Sequence, residues 1–160
     1  IAFPEKDGKP TDVKVKLDTA AGEIELTLFP ELAPNHVRNF LALTKAGYYD
    51  GLVFERLVRQ EGQAPDGSPV RVDFLTFGCP AGEGIPGLGH LGYFLKPEFS
   101  DFSQEEGTVG FWHDEDPASA GVRVYITLGP THLFNGRYTA IGRVSGGMQL
   151  LHTLGQAKTL

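Results

Sequence analysis

The chain has 160 residues, a net charge of −6, 41% hydrophobic residues and one cysteine, Cys79. That is enough for a single domain with a full apolar core, and it excludes an intrachain disulfide or a Cys-rich zinc site. The acidic balance excludes an electrostatic grip on nucleic acid, and no apolar run reaches the length of a membrane span, so no membrane insertion is expected.

The first twelve residues, "IAFPEKDGKPTD", are polar and turn-rich and read as an extended arm preceding one domain over 13–160. Starting at Ile1, the chain reads as a processed or trimmed form, and nothing in it assigns a compartment. Val13, Val15 and Leu17 then alternate with lysines, and Ile24, Leu26 and Leu28 alternate with Glu23, Glu25 and Thr27 after a turn near Ala21-Gly22. Two alternating runs around a short turn predict a β-hairpin. Val37, Phe40, Leu41 and Thr44 switch to helical spacing, with Pro34 suited to a first turn and Gly47 to an end. A helix over 33–46 is expected.

"DGLVFERL" reads as the next strand, with Leu52, Phe54 and Arg56 on one face. "RQEGQAPDGSP" reads as a loop, and "VRVDFLTFG" as a strand with Val70, Val72, Phe74 and Thr76 in phase. After a glycine-rich stretch, "TVGFWHD", "VRVYITL" and "YTAIGRV" read as three more strands, and "GGMQLLHTL" as a second helix. Many strands, few helices and frequent turns predict a single closed or nearly closed antiparallel barrel with helices at its ends.

Most chemical motifs fail on spacing. "GEGIPGLGHLG" matches G-x-G-x-x-G at Gly82, Gly84 and Gly87 and again at Gly87, Gly89 and Gly92, yet Pro86 interrupts it and no helix period follows. It reads as a loop, and no cofactor is expected. The five histidines show no H-x-x-x-H or H-E-x-x-H spacing, so no metal site is expected. "HDEDP", from His113, reads as a solvated acidic turn, and Cys79 as a small buried hydrophobe. Arg56 stands out, because a permanent charge beside Phe54 on a strand face is costly unless something uses it. Its two readings are a salt bridge, for example with Asp73, and a role in binding or catalysis.

Four segments decide between them: "GEIELTLFPELAPNHVRNFLALTKAGYYDGLVFERL", "PEF", "EEGTVGF" and "YITLGPTHLFNGRYTAIGRVSGGMQLL". Together, over about Val13 to Leu154, they resemble the cyclophilin family of peptidyl-prolyl cis–trans isomerases. The resemblance implies a closed eight-stranded antiparallel β-barrel capped by two α-helices, acting as a monomer on proline-containing peptides or unfolded segments. It places the catalytic arginine of the family's F-H-R on Arg56. Its F-M-x-Q-G falls on Phe74, Leu75 and, at the glutamine, Phe77. Its M-A-N puts Trp112 at a usually small position and His113 at the asparagine. Its S-Q-F-F-I puts Arg123 at a glutamine and Tyr125 at the floor phenylalanine, and W-L-D-G-K-H falls on Leu133, Phe134 and, at the histidine, Tyr138.

The expected site is therefore catalytic Arg56 with a proline pocket of Phe74, Leu75, Tyr125 and Phe134, flanked by backbone-binding His113 or Arg123. Trp112 and Phe77 are expected to narrow the groove. With the tryptophan replaced by Leu133, weak cyclosporin binding is expected. The retained arginine implies an isomerase with an altered site; the lost Gln, Asn and Trp equivalents imply the alternative, a peptide-binding module with little turnover. A non-peptide ligand barrel has only the groove aromatics behind it. The family pattern also adds a last strand pairing with the first, which here either follows Leu160 or is replaced by the N-terminal arm.

Overall fold

The computed structural model describes residues 2–80 and 90–156. The segment before Val13 forms a small hairpin, β1 (Glu5–Lys6) with β2 (Lys9–Pro10). Positive φ at Asp7 and Gly8 makes its tight turn. Phe3 anchors the segment by packing on the main core, and the Arg38 guanidinium carbon lies 4.7 Å from its ring centre.

β3 (Val13–Thr19) and β4 (Gly22–Leu28) pair antiparallel from Val13↔Leu28 to Thr19↔Gly22. The alternation sets this register, because Ile24, Leu26 and Leu28 are sealed in the core and a one-residue slip would turn them to solvent. Each such side chain contributes roughly 1.5–3 kcal/mol by leaving water. Helix α1 (Pro34–Lys45) follows, with Pro34 in the first turn and His36, Val37, Phe40 and Leu43 buried. Gly47, at φ 76°, turns the chain away.

β5 (Phe54–Gln63) and β6 (Pro69–Phe77) form a long hairpin. This corrects the loop expected from Arg59: pairing runs on through Arg59↔Asp73 to Gln63↔Pro69. Polar residues are tolerated there because buried Asp73 takes Arg59 at 3.4 Å and Arg71 at 3.0 Å. β7 (Thr108–Phe111), β8 (Val124–Thr127), β9 (Thr139–Gly146) and α2 (Met148–Gly155) complete the described elements. The double G-x-G-x-x-G lies largely outside the described residues.

The sheet order is β3-β4-β9-β7-β8-β6-β5, all antiparallel. The expected closed eight-stranded barrel is thus corrected to a seven-stranded sheet with β3 and β5 as edges, because no described strand pairs with both. The two edges share a cavity of about 290 Å³, lined by Leu17 and its neighbours on one side, Phe54 on the other, and Tyr49 and Phe77.

One face of the sheet covers the main core, which takes Phe40, Val37 and Leu151 from the helices. On the opposite face Phe74, Tyr125 and Phe134 form a smaller cluster. Glycine is needed at Gly110, where a Cβ would lie 2.3 Å from the Tyr125 hydroxyl oxygen.

Candidate active site

Strict alternation in "VFERL" is broken by a bulge between Phe54 and Arg56. Phe54 pairs with Phe77, whereas Arg56 pairs with Thr76. The bulge absorbs Glu55 and leaves Phe54 and Leu57 both packed on the main core. Arg56 therefore does not share a face with Phe54. It stands with Val58, on the side of the smaller aromatic cluster, and is exposed. The salt-bridge reading fails as well: Asp73 is held by Arg59 and Arg71, and among the described residues Arg56 forms no ion pair.

The same parity corrects two further expectations. Leu75 and Phe77 point into the main core, where Phe77 meets Tyr49 at 5.5 Å and Phe54 at 5.6 Å. Neither lines the groove. Phe74 and Thr76 are the residues of β6 on the Arg56 side, with Thr76 paired directly to Arg56.

Phe74, Tyr125 and Phe134 do come together, as expected. Their exposures are only 2, 0 and 5%, so the floor they make is covered. Trp112 covers it. Its ring stacks on Phe74 at 5.4 Å, meets Phe134 edgewise at 6.3 Å, and stacks on Tyr138 at 5.0 Å. The guanidinium carbons of Arg56 and Arg123 lie 5.5 and 5.8 Å from its centre, within cation–π range. Tyr138 in turn stacks on His113 at 4.2 Å. Burial raises the Tyr138 pKa, with the Arg56 charge acting against it.

Beside this stack lies a recess of about 540 Å³ whose walls include Arg56, Trp112, Asp114, Glu115, Asp116 and Arg123. The acidic turn is therefore one side of the recess, with Asp116 also accepting the Ala118 N–H at 2.9 Å. Sequence reading missed this role, because the partner recess is built from distant strands.

His113 does not offer its ring to a substrate backbone. Its Nδ1 lies 2.6 Å from the Asp114 carbonyl and its Nε2 2.7 Å from that of Arg137. Arg123 is 2% exposed and lies between Glu55, at 3.6 Å, and Asp114, at 3.7 Å. It braces the recess from behind. Burial raises the Glu55 pKa, with the Arg123 charge among the opposing influences. Leu133 sits apart, 42% exposed, in a second cleft with Phe99, Phe134 and Tyr138.

Gln104, which no motif pointed to, ties the cluster together. It accepts the Tyr125 hydroxyl and donates to the carbonyls of Phe134 at 3.0 Å and Tyr138 at 3.2 Å. Among the described residues, no three His, Cys, Asp or Glu side chains are grouped to hold a metal. Cys79 is buried.

The family model described as cyclophilin type peptidyl-prolyl cis-trans isomerase/CLD matches residues 13–160. The "peptidyl-prolyl cis-trans isomerase cyp15" of Rhizopus delemar is 32% identical over 88% of this chain, which spans only 20% of that protein. The "peptidyl-prolyl cis-trans isomerase-like 1" of the same organism is 33% identical over 91% of this chain and 82% of its own length. Among solved structures, a Cryptosporidium parvum cyclophilin type peptidyl-prolyl cis-trans isomerase superposes with TM-score 0.79 at 22% identity, covering 94% of this chain and 88% of that one. A second structure of that protein, in the presence of the dipeptide Ala-Pro, gives 0.77 at 23% identity over 92% and 88%. With the family pattern running from Val13 through both helices and the whole seven-stranded sheet, this chain belongs to the cyclophilin-type peptidyl-prolyl cis–trans isomerase family.

Proposed function

We propose that the chain accelerates rotation about Xaa–Pro bonds in exposed or unfolded segments, and so assists folding, with Arg56 as its catalytic residue. Rotation breaks amide resonance against a barrier of about 18–20 kcal/mol. No nucleophile or metal is needed; the site must bind the twisted amide better than either planar form. At the twist the proline nitrogen becomes pyramidal and its lone pair localises. A fixed cationic donor aimed at that nitrogen stabilises this state selectively.

The observation that carries the reading is Arg56 itself: exposed at the mouth of a recess and, among the described residues, in no ion pair. Crystallisation of the Cryptosporidium parvum protein in the presence of Ala-Pro fits a proline-containing ligand. The test is an isomerisation assay on a panel of Xaa–Pro peptides, with Arg56→Ala beside the unmodified protein. Acceleration lost in the variant is expected; no acceleration on any peptide overturns the reading.

A peptide-binding module with little turnover is the second reading, favoured by Trp112 lying over the apolar floor. For the fold, we infer that an eighth strand along β3 and β5 closes the barrel, since both edges face one cavity and each presents unpaired backbone groups to it.

A further inference from the structure

The most apolar surface near Arg56 is the floor of Phe74, Tyr125 and Phe134, and it is already occupied. The Trp112 ring lies nearly parallel to Phe74, 24° between planes at 5.4 Å, as a docked planar ligand would. The ring also meets the Phe134 edge, the Tyr138 ring and the two guanidinium groups. Among the described residues its indole N–H donates no hydrogen bond. Stacking and cation–π contacts are broad in angle, so they hold the ring without a directional tie. The recess of about 540 Å³ lies directly against it, which leaves the side chain room to swing.

We propose that Trp112 is a gate: its indole occupies the seat of the substrate proline, and productive substrates are those that displace it. The proposal rests on the isomerase reading above. When Trp112 leaves, a proline ring meets Phe74 and Phe134 while Arg56 stays at the edge of the same seat. When it returns, the guanidinium again lies over the indole. The gate sets selectivity as well as rate. A segment must gain enough from its other contacts, along the recess, to replace the indole's own stacking.

Apparent affinity falls by the fraction of protein in the open state, and minor states of this kind hold about 0.1–10% of the population. Trp112→Ala should therefore raise kcat/KM for Xaa–Pro peptides by about tenfold or more. Trp112→Phe, a smaller ring that still packs on Phe74, should give a rise of the same sign. Trp112 is the single tryptophan of the chain, so its emission reports its own position in the unaltered protein. Saturating Ala-Pro dipeptide or a longer Xaa–Pro peptide should shift that emission to the red and raise its quenching by acrylamide. Emission that stays put or moves to the blue on peptide binding overturns the gate, because the proline then stacks on the indole without displacing it. An active wild type with both variants slower overturns the gate and leaves the isomerase reading standing. Neither acceleration nor binding by any of the three proteins overturns both.

Discussion

Glu55 and Arg123, both sealed from solvent, face each other at 3.6 Å behind the strand that carries Arg56. Burial raises the Glu55 pKa above its ordinary 4.5. The folded chain therefore holds a proton that the unfolded chain has already released, so stability falls as pH rises from about 4.5 through the folded value. Glu55→Gln removes this titration. In urea unfolding between pH 4 and 7, the wild type should lose stability relative to Glu55→Gln as pH rises. Parallel curves for the two proteins would contradict the buried-carboxyl account.

Arg56 should separate catalysis from stability. It is exposed and, among the described residues, in no ion pair, so Arg56→Ala should move the unfolding free energy by no more than about 1 kcal/mol, the worth of its cation–π contact with Trp112. The same change should lower kcat/KM by about 10²–10³, the usual loss for one preorganised donor. Arg56→Lys keeps the charge and loses the planar fork, and should recover only part of the activity. Full recovery by lysine would reduce the role of Arg56 to bulk electrostatics.

The fold was legible where the pattern was strong. Ile24, Leu26 and Leu28 announce a strand by alternation, and Pro34 and Gly47 bracket a helix, of whose marked residues Val37 and Phe40 are buried while Leu41 and Thr44 are only half-buried beside buried His36 and Leu43. The bulge at Glu55 was not legible, since inserting one residue leaves the composition of "VFERL" unchanged while turning Arg56 away from Phe54. Of the three β6 residues expected at the groove, Phe74 lies on the Arg56 side, whereas Leu75 and Phe77, each an odd step away from it, face the main core. The covered floor was hidden for a different reason. Sequence placed Trp112 beside the pocket, but only packing decides that its ring lies on Phe74 rather than away from it.

Tyr125→Phe tests how the floor is held. The Tyr125 hydroxyl donates to Gln104, which also ties the Phe134 and Tyr138 carbonyls. Removing the hydroxyl leaves a buried amide oxygen without its donor, which should destabilise the fold by about 1–3 kcal/mol. Thermal or urea unfolding measures this, and an unchanged midpoint would mean that the Gln104 side chain finds another donor.

Leu133→Trp tests the groove from its other end. The family resemblance places a tryptophan at this position, and that indole donates a hydrogen bond to cyclosporin. Here Leu133 is 42% exposed and lines a cleft of about 410 Å³ with Phe99, Phe134 and Tyr138, so a larger ring has space. The unmodified protein should bind cyclosporin weakly. A restored hydrogen bond is worth about 0.5–1.5 kcal/mol, so Leu133→Trp should tighten binding by up to about tenfold, measured by calorimetry. Since Trp112 still covers the apolar floor, the double variant Leu133→Trp, Trp112→Ala should bind more tightly than either single one. Tight binding by the unmodified protein would show that the drug reaches this groove without the indole, and would remove Leu133 from the tryptophan's place.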